Sequence, residues 1–190
     1  MRKLFVSHLT VCIIIALCAS SCKRTTPLPK QVFPETYATA YEQIFGHFYD
    51  SLPELAVVAL DLYTSGLDLD KDSIIRGTGY NLYISDIFVP DSLLEEGEYK
   101  SIPQDSLSTF NFHHSTFRFL PGRNYEGTPH GIYLLTIVNN QVSQIQIFDS
   151  GSFVYRDDQL HFTLYYVGAD GYPGVYNCSF SGPLIPWRKK

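Results

Sequence analysis

The sequence has little positive charge, a single methionine, and no apolar run of the roughly 20 residues that cross a bilayer. Its 14 Lys and Arg stand against 19 Asp and Glu, which gives a formal net charge of −5. A chain without a basic stripe is not expected to bind nucleic acid. With 13 Gly and 11 Pro in 190 residues it is no collagen or low-complexity linker. Its 45% of hydrophobic residues exclude a disordered chain.

The first 21 residues have the three parts of a secretory signal peptide. Arg2 and Lys3 are basic, residues 4–17 are mostly apolar, and residues 19–21 are small. Because the apolar run is shorter than a bilayer-spanning helix, we expect cleavage; an uncleaved membrane anchor is the alternative.

A cysteine follows the small residues directly. Residues 19–22, Ala-Ser-Ser-Cys, resemble a bacterial lipobox, in which the cysteine becomes the lipidated first residue. The sequence departs from the usual pattern at Ala19, where Leu is common. Acyl chains such as palmitate on Cys22 would hold the protein to a membrane, since each buried methylene contributes about 0.8 kcal/mol. Cleavage leaves only Cys22 and Cys178, so a lipidated Cys22 leaves Cys178 without a disulfide partner.

Beyond the signal peptide the sequence predicts a tether, one domain and a tail. Residues 22–34 are polar and contain Pro, as expected of a linker. Residues 35–187 form the predicted domain, and residues 188–190 are a basic tail. Residues 31–187 hold six basic residues and all 19 acidic ones, so the body carries a net charge of −13.

The domain is predicted to be all-β, because apolar and β-branched segments alternate with turn residues. The predicted strands are 54–63, 80–88, 109–120, 131–138, 142–148, 151–155, 160–167 and 174–180. We expect about nine strands, in an antiparallel two-sheet sandwich or a flattened barrel of meander hairpins. The segment 35–50 fits a helix or a strand, and Gly46 weakens the helix.

Several phrases in the sequence are shared with a known group of proteins. They are Leu-Tyr-Thr-Ser-Gly-Leu at 62–67, Gly-Thr-Gly-Tyr-Asn-Leu-Tyr at 77–83, Leu-Glu-Glu-Gly-Glu-Tyr at 94–99, Phe-Leu-Pro-Gly at 119–122 and Tyr-Asn-Cys-Ser-Phe-Ser-Gly-Pro-Leu at 176–184. Over residues 40–185 the chain resembles small outer-membrane lipoproteins of Bacteroides-type bacteria. The resemblance implies a β-rich fold and an envelope location, and it implies no activity or site residue.

The residues after Cys22 bear on which side of the outer membrane the protein faces. Surface-exposed lipoproteins of such bacteria often carry acidic residues at this point. Here Lys23 and Arg24 follow instead. This departure favours the periplasmic face over the cell surface.

Motifs for metal binding and catalysis are incomplete. Asp68, Asp70 and Asp72 resemble the start of a calcium loop, which also needs Gly at its sixth place and Glu at its twelfth. The chain has Ser73 and Gly79 there. No G-x-S-x-G nucleophile elbow occurs either. We therefore expect no metal, no cofactor and no enzyme, with an envelope hydrolase as one alternative.

Aromatic residues make up 15% of the chain. Tyr and Trp join a flat apolar face to a polar group and are enriched at recognition surfaces. This favours a protein that binds a glycan or a peptide, with the candidate residues Tyr63, Tyr80, Tyr83, Tyr165, Tyr172 and Trp187. Aromatic residues are also common in strands, where they fill the core. On that alternative the protein is a structural or assembly component of an envelope complex.

Overall fold

A computed structural model describes residues 32–47, 56–69, 75–90, 93–106 and 117–187. Contacts divide the chain into residues 1–32 and residues 33–190, and the fold below is that of the second unit. Within the described ranges, no helix has the length and apolar character needed to cross a membrane.

The described residues form sixteen β-strands and one 3₁₀ turn, Gln104–Ser106, and include no α-helix. In chain order the strands are β1 Thr36–Tyr37, β2 Thr39–His47, β3 Ala56–Tyr63, β4 Leu67–Leu69, β5 Ile75–Gly77, β6 Gly79–Val89, β7 Gly97–Ser101, β8 Arg118–Phe119, β9 Arg123–Tyr125, β10 Thr128–His130, β11 Ile132–Val138, β12 Gln141–Ile147, β13 Ser150–Arg156, β14 Gln159–Val167, β15 Pro173–Ser181 and β16 Ile185–Pro186.

One segment of chain joins the two ends of the main sheet. β1 pairs in parallel with β15, where Thr36 lies opposite Ser179. β2 follows at once and pairs antiparallel with β3, where Thr39 lies opposite Tyr63. Between these ends the strand order is β15-β14-β13-β7-β8-β6-β3. The curled sheet therefore closes around one interior, while the β11–β12 hairpin extends it from β6.

The all-β prediction is confirmed, but its strand number and direction are wrong. The main sheet alone has twelve strands, and β1–β15, β7–β8 and β16–β2 are parallel pairs. Many of the missed strands have two or three residues, which is too short for a periodic pattern. The parallel pairs join segments far apart in sequence, which no hairpin signal indicates. Of the two alternatives for residues 35–50, the strand is observed over Thr36–Tyr37 and Thr39–His47.

The interior of the curl is packed largely with aromatic rings. Phe153 stacks on Tyr99 with ring centroids 4.5 Å apart, and Phe148 stacks on Tyr176 at 5.6 Å. The hydroxyls of Tyr37 and Tyr176 lie 2.7 Å apart, and Tyr176 donates to the carbonyl of Pro34 at 2.6 Å. These bonds fasten the closing segment to β15. Core filling thus accounts for many of the aromatic residues.

Two tight turns set the register of their hairpins. Asn139 and Asn140 have φ of 51° and 67°, and Asp157 and Asp158 have φ of 49° and 56°. Two successive residues with positive φ are typical of the type I′ turn, whose twist matches that of the flanking strands. Asn and Asp tolerate this conformation better than most residues. The turns connect β11 to β12 and β13 to β14.

The outer face of the sheet differs between its two sides. All eight residues of β3 are buried, so both faces of this strand are covered. On its outer face the β4–β5 hairpin packs Leu67 against Tyr63 and Ile137. On β14, in contrast, the outward residues are exposed or half-buried. We call the outer face around β3 the covered side and the outer face around β14 the open side. The two sides carry different polar groups.

Candidate functional site

Four residues form a cross-strand row on the covered side of the sheet. Tyr41, Asp61, Tyr83 and Tyr133 lie directly opposite one another on β2, β3, β6 and β11. Residues paired in this way share a face. Because Leu60 and Leu62 point into the core, the row lies on the outer face. We call these four residues, with Trp187, the Asp61 face.

The carboxylate of Asp61 is held by side chains from three strands. Asn81 donates to Oδ1 at 2.5 Å, and Tyr63 donates to Oδ2 at 2.6 Å. Gln43 donates to Oδ2 at 3.4 Å. Asp61 is only 7% exposed. An isolated carboxylate could not be buried so deeply without great cost, and these three donors offset part of it.

Burial controls the protonation of this cluster. Removal from water raises the pKa of Asp61, while the hydrogen bonds from Tyr63 and Asn81 oppose that rise. Burial and then the negative charge of Asp61 raise the pKa of Tyr63, and the same two causes raise that of Tyr133 to about 12. The pKa of Tyr83 is raised as well, by burial and by its neighbours Tyr133 and Asp61. The tyrosine hydroxyls therefore stay protonated and can donate.

Half-buried aromatic rings border the carboxylate on both sides. On one side Tyr41 meets Trp187 edge-on, with ring centroids 5.5 Å apart. On the other side Tyr83 and Tyr133 lie 5.2 Å apart with their planes tilted by 36°. The backbone N–H of Trp187 donates to the carbonyl of Glu42 at 2.7 Å, which fixes this end of the chain beside β2. Strands thus hold Tyr41, Tyr83 and Tyr133, while its backbone hydrogen bond to Glu42 holds Trp187.

Two hydroxyls of the face are available to a ligand. Among the described residues, none hydrogen-bonds the hydroxyl of Tyr83 or of Tyr133. Within the same part of the chain no buried polar side-chain atom lacks a partner, so these hydroxyls reach solvent. The face therefore offers aromatic ring surface, two free hydroxyls and negative potential from below. Such a surface suits an uncharged ligand that has both C–H faces and hydroxyl donors.

The predicted binding residues do not form one group. Tyr63, Tyr83 and Trp187 come together around Asp61, but Tyr63 is buried beneath the β4–β5 hairpin. Tyr80, near the start of β6, packs against the core instead. Tyr165 lies on the open side of the sheet, and Tyr172 lies between β14 and β15, where it is 73% exposed. The sequence alone does not reveal which of these residues lie together, because that depends on the register between strands.

The sequence prediction missed the residues that complete the face. Asp61, Asn81 and Tyr133 lie inside the predicted strands 54–63, 80–88 and 131–138, to which the sequence analysis assigns no binding role. A signal did exist, since Asp61 is the one charged residue in the apolar stretch 55–63. A lone carboxylate in a strand buried on both faces needs partners.

The other predicted sites lie wholly or partly outside the described residues. Asp68 is exposed on β4, while Asp70 and Asp72 lie outside the described residues, as does the predicted lipidation site Cys22. In the described ranges, no three His, Cys, Asp or Glu side chains are grouped so as to hold a metal ion. Cys178 is buried in the core, and burial raises the pKa of its thiol to about 12. A thiol in that state is a poor nucleophile.

No protein-family model, curated protein or solved structure matches this chain. The resemblance to Bacteroides-type lipoproteins therefore stays a prediction.

Proposed function

We propose that the protein is a lipid-anchored lipoprotein of the cell envelope that binds a neutral glycan at the Asp61 face. The observation that carries the binding role is the set of partly exposed rings on both sides of the buried carboxylate. Sugar rings present C–H faces that pack against aromatic rings, and their hydroxyls pair with tyrosine hydroxyls. The proposed role is to bind the glycan, and binding requires no catalytic group.

Electrostatics favour an uncharged ligand over an acidic one. The negative charge of Asp61 lies beneath the face, in a low-dielectric setting where its field is only weakly screened. An anionic group placed on these rings would be repelled. A hydroxyl donor would be attracted, so a neutral glycan fits the face better than an acidic one.

The sole tryptophan allows a direct binding test. Trp187 belongs to the Asp61 face, so a ligand that packs there should change its emission. The full chain, purified in detergent, is titrated with a panel of neutral oligosaccharides. We expect a saturable change for at least one of them and at least tenfold weaker binding for Tyr133→Ala. Tyr172→Ala, which removes a distant exposed ring, is the matched control and should bind like wild type.

Two results would overturn the binding role. One is the lack of any saturable response from a folded wild-type protein across the panel. The other is equal weakening by Tyr133→Ala and Tyr172→Ala, because that result would place the ligand elsewhere.

The anchor is tested separately. Residues 1–21 are proposed to be removed and Cys22 lipidated, which places the protein at the outer membrane, on its periplasmic face. Cys22→Ala should leave the protein unlabelled by palmitate and soluble after cell fractionation. A Cys178→Ala control should remain membrane-bound. Membrane association of the Cys22→Ala protein would contradict the anchor.

A second candidate function has its own support. β12 pairs only with β11 among the described residues, so one edge of this seven-residue strand is open. Its Val142 and Ile145 are about half exposed, and it contains no Pro, Lys or Arg. Such an edge is a template for strand addition by a partner. An assembly role predicts that Val142→Lys abolishes a complex recovered from crosslinked envelopes and leaves glycan binding unchanged.

A further inference from the structure

The open side of the sheet holds a cleft unlike the Asp61 face. Its volume is about 410 Å³, and among the described residues its lining includes two cations and no acid. The lining side chains that bear on a ligand are Lys100, Arg118, Ser150, Ser152 and Tyr165. In a body with a net charge of −13, two of the six basic residues thus line one cleft.

The sheet places the two cations side by side. Arg118 on β8 lies directly opposite Lys100 on β7, in a parallel pair. Backbone bonds hold this pairing, from Lys100 N–H to the carbonyl of Phe117 at 3.2 Å and from Ile102 N–H to that of Phe119 at 2.9 Å. Like charges directly opposite each other destabilise a sheet. The cost is removed when an anion lies between them.

The protein itself supplies little to balance these charges. Lys100 has Glu98 at 3.0 Å, but both side chains are more than half exposed, so water screens the pair and it contributes little. Arg118 is half-buried and has no ion pair or side-chain hydrogen bond within the part of the chain that the structure describes. A half-buried guanidinium with free donors is well suited to an oxyanion, which it can bind with two parallel hydrogen bonds.

Neighbouring groups extend the site beyond the two cations. Ser152 lies opposite Lys100, and Ser150 lies opposite Tyr165. Among the described residues neither serine hydroxyl has a partner, so both can bind the ligand. The ring of Tyr165 is 47% exposed and forms one wall. The positive charges of Arg118 and Lys100 lie at one end of the cleft, and the exposed ring of Tyr165 lies at the other. This arrangement suits a ligand in which an oxyanion is attached to a cyclic group.

We propose that this cleft binds an acidic saccharide, with its sulfate, phosphate or carboxylate group between Arg118 and Lys100 and a sugar ring against Tyr165. The site is separate from the Asp61 face and does not depend on its function. The two surfaces then differ in ligand class, because the Asp61 face repels an anion and the cleft binds one.

Calorimetric titration of the full chain in detergent tests the proposal with named probes. Heparin serves as the sulfated saccharide, dextran as the neutral one, and sodium sulfate as the bare oxyanion. We expect heparin to bind at low salt and dextran not to bind in this cleft. Arg118→Gln should weaken heparin binding at least tenfold, and Lys100→Gln should also weaken it.

The matched control is Arg156→Gln, which removes the same charge from an exposed position outside the cleft. It also leaves the basic ends of the chain in place, as do the other variants. Equal weakening by Arg118→Gln and Arg156→Gln would overturn the site, because it would show only general attraction of a polyanion. Absence of heparin binding by a folded wild-type protein would overturn it too.

The sugar ring is tested through Tyr165. Tyr165→Ala should weaken heparin binding several-fold and leave the affinity for sulfate unchanged, while Tyr172→Ala should change neither. If Tyr165→Ala binds heparin like wild type, the saccharide part of the proposal is wrong. Unfolding midpoints followed by Trp187 fluorescence establish that each variant is folded.

Discussion

The Asp61 face and the Arg118 cleft lie on the same outer surface of one sheet, yet they treat charge in opposite ways. Asp61 is almost fully buried, and side chains from three strands bond its carboxylate. Arg118 is half-buried and bonds no side chain among the described residues. The protein's own side chains therefore provide the hydrogen-bond donors for the Asp61 carboxylate. At Arg118 no side chain among the described residues satisfies the charge, and we propose that a ligand does so.

Because of this difference, we expect Asp61 to matter mainly for stability and Arg118 mainly for ligand binding. A buried carboxylate with internal donors is part of the fold, so its removal should first destabilise the protein. An unpaired cation at the surface adds little to stability, so its removal should affect only the ligand. At the Asp61 face the rim rings Tyr83 and Tyr133 should therefore carry the binding, while Asp61 contributes to stability through Tyr63, Asn81 and Gln43.

The largest effect is expected from Asp61→Ala. The change leaves the hydroxyl of Tyr63 without its acceptor and leaves Asn81 with only its 3.2 Å bond to the carbonyl of Leu62. A buried donor without a partner costs about 1–3 kcal/mol, so we expect a total loss of about 2–4 kcal/mol. Urea unfolding followed by Trp187 emission measures it. Arg118→Ala, as the control, should lose less than about 0.5 kcal/mol.

A smaller loss is expected from Tyr63→Phe. This change removes the donor at 2.6 Å from Asp61 and keeps the ring that packs against Leu67. Hydrogen bonds to charged groups contribute about 1.5–3 kcal/mol, so the free energy of unfolding should fall by about that amount. Tyr165→Phe also removes a hydroxyl and should leave stability unchanged. If both variants lost the same amount, the contrast between the two regions would not hold.

A weaker effect is expected from pH. Burial raises the pKa of Asp61 in the folded state, so on acidification the folded protein binds this proton before the unfolded chain does. This group's contribution to the free energy of unfolding should therefore rise as the pH falls from neutral, and should level off below about 4, where the unfolded chain is protonated too. Relative to Asp61→Asn, wild type should gain stability over that range. A constant difference between the two proteins would show that the pKa is not raised.

The smallest effect is expected from Arg118→Gln. Because no side chain among the described residues bonds Arg118, this variant should unfold within about 0.5 kcal/mol of wild type. Relief of its repulsion with Lys100 could even make it slightly more stable. Chemical unfolding of the two proteins side by side tests this. A loss as large as that of Asp61→Ala would mean that Arg118 has a structural role.

The parts of the fold that depend on local sequence were predictable. β14 alternates outward and inward residues, and its apolar positions Leu160, Phe162 and Leu164 indicate the buried face. The Asn139–Asn140 turn likewise specifies its hairpin through two residues that tolerate positive φ. Neither inference needs to know which distant segment lies alongside.

The closure and the sites depend on pairings that no local pattern contains. β1 meets β15 across more than a hundred residues, so its parallel pairing leaves no mark in either segment. The Asp61 row needs the register of four strands, and the register of β3 with β6 shifts between Val58 and Leu60, close to Asp86 with its φ of 54°. The Arg118 cleft likewise depends on the parallel contact of β7 with β8.

One experiment tests the central claim that the outer surface has two sites for two classes of ligand. Wild type, Tyr133→Ala and Arg118→Gln are each titrated with the best neutral oligosaccharide and with heparin. We expect Tyr133→Ala to lose at least tenfold affinity for the neutral ligand only, and Arg118→Gln to lose as much for heparin only. If both variants lose the same ligand, or neither loses any affinity, the division of this surface into a neutral and an acidic site is wrong.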